Sequence, residues 1–192
     1  MAQETIWFWD QSSGSYKQVN QATALSEGVR YIAPGQGFFV ESNGTGGSFV
    51  FPEAMQSHQS TDVFSRSSSP SVPKINLQIE SGDAQRTADV FYLASATKGW
   101  DNGFDSTIFS GASTSFVVYT HLVSDSQGEN LGLQSLPNQD YPMMVVPVGI
   151  NAGSGKTNDI SAEVSGFPTG IEVYLEDKQE NTFTKLSEPG TT

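Results

Sequence analysis

Within the seven residues Gly99-Trp-Asp-Asn-Gly-Phe-Asp105 this chain places three hard oxygen donors, Asp101, Asn102 and Asp105. Gly103 permits a tight bend that would aim them together, which is the chemistry of a calcium loop. Calcium takes about 6–8 oxygens at roughly 2.3–2.6 Å, so backbone carbonyls or a distant carboxylate would have to complete the shell. The spacing is not that of an EF-hand. The same residues also spell a turn followed by a helix: the segment Phe104 to Ser110 looks helical, with Asp105 as N-cap of Ser106 to Ser110.

Aromatic residues offer a second chemistry. Trp7, Trp9 and Trp100 have flat apolar faces suited to stacking on sugar C–H groups, with neighbouring Asp and Asn accepting from hydroxyls. Trp7 and Trp9 alternate on one strand face and Phe8 takes the other, so one of those faces belongs to a core. Trp100, on a loop beside Asp101 and Asn102, is the expected exposed platform. The candidate ligand-binding set is therefore Trp100, Asn102 and Trp9, and the candidate metal set Asp101, Asn102 and Asp105.

No catalytic residue is assigned. His58 and His121 lie far apart, and His121 either faces solvent or is hydrogen-bonded in the core. No G-x-S-x-G elbow accompanies the many serines. Gly153-Ser-Gly-Lys-Thr157 echoes a phosphate loop, but position 150 is Ile and a strand follows instead of a helix. Asn43-Gly-Thr45 matches a glycosylation acceptor and is better read as turn chemistry.

These residues must be positioned by strands. Of 192 residues 36% are hydrophobic, and 12 Phe and 6 Tyr supply much of the volume a β-sandwich core needs. Ile6 to Val19 reads as a hairpin about Asp10–Gly14. Arg30 to Phe51 reads as two strands joined at Asn43-Gly44. Ile75, Leu77 and Ile79 alternate with polar neighbours, the mark of a half-buried strand. The run 88–94 is apolar enough to be buried on both faces, and further strands are expected over 114–123, 143–150, 160–164, 170–176 and 181–186. Phe38, Phe49, Val90, Phe91, Val145 and Val173 are expected in the core. The fold class is all-β, an antiparallel sandwich of jelly-roll or Ig-like type, with a smaller N-terminal β unit packed on it. A unit over 1–64, a Ser/Pro-rich linker or crossover over 65–73 and a sandwich over 74–192 divide the chain.

Nine Lys and Arg against 21 Asp and Glu leave a net charge of −12 and a pI near 4.3. With no basic run to neutralise phosphates, nucleic acid is not an expected partner. There is no cysteine, which excludes disulfides and thiolate metal sites. No apolar run reaches the length of a membrane span, so membrane insertion is not expected. The N-terminus lacks the pattern of a signal peptide and reads as the start of a piece of a longer protein.

The order of several motifs carries a resemblance. IWFWDQSSGSYKQVN, RYIAPGQGFFVES and GSFVFPEAMQSH are followed by INLQIESGDAQRTADVFYLASATKGWDNGFDSTIFSG, LGLQSLP, VPVGINAG and GIEVYLEDKQENTFTKL. Together they resemble the β-rich region preceding the C-terminal sorting domain of secreted Bacteroidetes proteins exported by the type IX secretion system. The resemblance spans almost the whole chain and departs at its ends, where the sorting signal itself is absent. It implies a non-catalytic accessory module, extracellular or on the outer-membrane surface, whose partners are neighbouring domains of the same protein. Adhesion or polysaccharide binding through Trp100 and its acidic loop is the alternative role.

Overall fold

The computed structural model describes residues 3–11, 13–27, 31–42, 44–46, 48–56, 72–155 and 157–186. The 65–73 linker falls mostly outside them, as do Asn43 and His58. Where described, the chain is nearly all β and sandwich-like. Strands β1 (Ile6–Asp10) and β2 (Ser15–Val19) form the expected hairpin, and β3 (Phe39–Val40) pairs with the other edge of β1. Gly14 closes the hairpin at φ +57°, a conformation costly for any residue with a Cβ.

Between β2 and β3 lies a short helix, α1 (Gln21–Ser26). The Asn20 side chain accepts from the Ala22 and Thr23 backbone N–H groups, and the Asn20 N–H donates to the Thr23 hydroxyl. This reciprocal cap satisfies donors that an uncapped helix start would leave orphaned.

The main sheet has seven strands. Its order is β10 (Asp159–Ser165), β4 (Lys74–Ser81), β5 (Ala84–Leu93), β8 (Leu131–Pro137), β7 (Val117–Thr120) and β9 (Val148–Asn151), with β6 (Ser106–Thr107) also on β8. A separate hairpin joins β11 (Tyr174–Asp177) to β12 (Thr182–Lys185). All of these pairings are antiparallel except β5 with β8, which run parallel. In a flat sheet β4 and β7, three positions apart, would lie about 14 Å from each other. Their Cα atoms instead come within 8 Å, so the sheet is curled.

Alternation fills that curl. Ile75, Leu77 and Ile79 of β4 and Ala88, Val90 and Tyr92 of β5 meet Val118 and Leu136 in the inner core. The opposite face of β5 is also covered: Phe91 and Leu93 pack with Leu133, Ala96 and Ala22 of α1. Burial of β5 on both faces, expected from its composition, is what the structure holds.

Several sequence expectations are corrected. Phe104 to Ser110 is no helix, because Ser106 and Thr107 pair with β8. The Arg30–Phe51 hairpin does not form: β3 pairs with β1, and 48–52 make no strand. Phe49 is 59% exposed, against the rings of Phe38 and Phe51. Val145 is 69% exposed, in a strandless stretch after the 3-10 turn Tyr141–Met143. Phe38 and Val173 are half-buried, while Val90 and Phe91 are core.

Candidate functional site

The acidic loop leaves the end of β5 and returns at β6. Asp101 accepts from the Thr97 N–H at 2.5 Å and the Thr97 hydroxyl at 3.1 Å, one on each carboxylate oxygen. The Asp101 carbonyl accepts from the N–H groups of Phe104 and Asp105, at 3.0 and 2.8 Å. Gly103 turns the chain at φ +82°, and its carbonyl accepts from the Gln21 N–H at the start of α1. Asp105 is fully buried. Its carboxylate takes the Asp101 N–H on one oxygen and the Ser135 N–H of β8 on the other, both at 2.7 Å. Asp105 is thus a bolt between loop and sheet and caps no helix.

Burial pushes the Asp105 carboxyl up to about 7. The two backbone N–H groups oppose that rise and the nearby Asp101 charge adds to it. Asn102 turns away from both acids: its side chain accepts from the Glu4 N–H and donates to the Glu4 carboxylate, each at 3.1 Å. The three candidate metal ligands share a loop, yet each addresses a different partner. Among the described residues no group of three or more His, Asp or Glu is gathered in a metal-holding arrangement. A calcium ion here would have to share or displace the donors that now hold Asp101 and Asp105.

The tryptophans separate as well. Trp7 is 2% exposed and packs on Phe109, whereas Trp9, on the same face of β1, is 52% exposed and stands edge-on to Tyr16. The buried patch ends between them. Trp100 is half-buried. Asn102 meets Glu4, and Trp9 lies five residues further along, about 16 Å in an extended strand. Trp9 and Asn102 therefore do not build one site. His121 is hydrogen-bonded, its Nδ1 2.7 Å from the Glu129 carbonyl.

Sequence reasoning missed a cleft. Where β2 lies over β4 and β5, a polar cavity of about 290 Å³ opens. Lys17 of β2 and Lys74 of β4 both reach Glu27 beyond α1, at 3.4 and 3.3 Å. Asn76 and Asp89, cross-strand partners on β4 and β5, join by a 2.7 Å hydrogen bond. Burial raises the Asp89 carboxyl, with the Asn76 bond working against it. A smaller, more apolar cavity adjoins this one, walled by Trp9 and Phe109, with Tyr16, Gln18 and Thr87 common to both. A signal was present: Asp89 is a charged residue inside the otherwise apolar run 88–94, and such a residue must be answered by polar partners.

The fold and these sites describe an all-β module with a bolted loop and a polar cleft. Residues 4–190 match the model of a family described as a domain of unknown function (DUF8693), and the chain belongs to that family. No curated protein and no solved structure matches it.

Proposed function

We propose that this chain is a non-catalytic extracellular β module of a secreted or cell-surface multidomain protein, spacing or presenting its neighbouring domains. The observation that supports this reading is the bracing of its parts by the side chains best equipped for chemistry. Asp101 and Asp105 tie the loop to itself and to β8, and Asn102 ties it to Glu4 ahead of β1. Gln3 adds bonds to Glu41 and to the Thr107 hydroxyl, and accepts from the Thr107 N–H. Acids spent on internal donors serve rigidity, which a spacer needs. The secreted, surface location rests on the motif resemblance.

Absence of cysteine makes the test clean. Cysteines introduced at the exposed Gln11 and Glu180 would each take one fluorophore. A rigid spacer gives a single narrow distance distribution by energy transfer, unchanged when neighbouring domains are attached. A broad distribution, or turnover of a polysaccharide by the purified chain, would overturn the reading. Carbohydrate recognition is the second reading, favoured by the exposure of Trp9 beside Tyr16.

A further inference from the structure

We infer that the paired cavities between β2 and the β4–β5 face form one amphipathic groove that binds a neutral saccharide, with Trp9 and Tyr16 on its apolar side and Asn76, Asp89, Lys74 and Glu27 on its polar side. This rests on the carbohydrate reading and moves its site from Trp100 to the groove.

The two cavities meet along Tyr16, Gln18 and Thr87, so an apolar wall runs directly into a polar floor. A sugar ring matches that division, with C–H groups on its faces and hydroxyls at its edge. The polar half, about 290 Å³, lies near the lower end of small-molecule sites, roughly 300–1,000 Å³.

Hydroxyls both donate and accept, and the floor offers both roles. Among the described residues only one Asp89 oxygen takes a hydrogen bond, from Asn76. The other remains as an acceptor in the cleft that Asp89 lines. Lys17 and Lys74 supply donors, already held in place by Glu27. The charge balance selects the class of sugar. Across the whole groove Asp10, Glu27, Asp89 and Glu163 stand against Lys17, Lys74 and Arg86, so a uronate would meet net repulsion and a neutral sugar would not.

The test titrates cellohexaose, xylohexaose, mannohexaose and laminarihexaose into the purified chain, with hexagalacturonate as the acidic comparator. Calorimetry and tryptophan fluorescence report binding. At least one neutral hexaose is expected to bind, with Trp9→Ala and Asn76→Ala each weakening it about tenfold or more. Thr87→Trp should block the groove, and Trp100→Ala should leave affinity unchanged. Thermal melts confirm that each variant folds. Trp9, at the surface, keeps the test decisive if Thr87→Trp does not fold. If a neutral hexaose binds but Trp9→Ala and Asn76→Ala leave its affinity intact, the groove is the wrong site and the carbohydrate reading survives. If only hexagalacturonate binds, the choice of a neutral ligand is overturned. If no saccharide binds, this inference and the carbohydrate reading fall together, and the spacer reading stands.

Discussion

Asp105 is pulled in two directions: its burial favours the neutral acid, and two backbone N–H groups favour the anion. The balance holds its carboxyl at about 7 in the folded chain against an ordinary 3.8. Below the ordinary value both states are protonated and the group contributes nothing to pH dependence. As pH climbs from there towards 7 the unfolded chain releases its proton first, so stability falls across that window and levels off above it. The loss is on the order of 4 kcal/mol. Asp89, also raised, acts in the same direction. Denaturation at pH 4.5 and 7.5 should therefore show the wild type weaker at the higher pH. Asp105→Asn should remove most of that difference, at a constant cost of about 1–2 kcal/mol for an N–H left without its acceptor. Calcium is the other claim on this residue. All four carboxylate oxygens of Asp101 and Asp105 already accept hydrogen bonds, so we expect EDTA to leave the melting temperature unchanged. A saturable calcium heat that Asp101→Ala abolishes would return the loop to a metal site.

Strands divide by how far pattern alone can read them. The alternation of Ile75, Leu77 and Ile79 and the apolar run of β5 were legible, because a period of two and a double-sided burial leave direct marks in composition. The hidden strand was β8. It is buried from Leu131 to Leu136 yet carries Gly132, Gln134 and Ser135, whose polarity argues for a loop until their partners are known. Ser135 donates to the Phe104 carbonyl and Gln134 to that of His121, contacts that sequence alone does not display. The polar cleft was lost for the same reason, since its walls come from strands distant in sequence. Phe49 failed oppositely: its apolar character is real, but it is spent on Phe38 and Phe51 in a surface cluster. Phe91→Ala should cost about 3–5 kcal/mol by chemical denaturation. Phe49→Ala should cost well under half of that, and equal losses would place the 48–52 segment in the core after all.

On the scale of the whole molecule, the N-terminal sheet and the main sheet share side chains across their boundary. Tyr16 packs on Phe109, and Gln18 donates to the Thr107 carbonyl. Ala22 closes the outer face of β5. The family model likewise runs across both, from residue 4 to 190. The outer surface is uneven. Phe39, Val40, Phe49, Val50 and Phe51 leave an apolar region on the N-terminal part, while the chain as a whole carries −12. Such charge opposes self-association at that patch and keeps it open to a neighbour of different composition.

The parallel pairing of β5 with β8 has a consequence for how the molecule comes into being. β4 and β5 are joined by a tight turn at Gly82 and can meet as soon as both exist. The other edge of β5 must wait for β8, since Asp89 pairs with Leu133, 44 residues further along. Closing that distance before any contact rewards it makes this a slow step. In the interval the edge of β5 is an open template, and an identical strand from another nascent copy would fit it as well as β8 does. Acidity then acts as a timer's guard, holding copies apart until each has received its own β8.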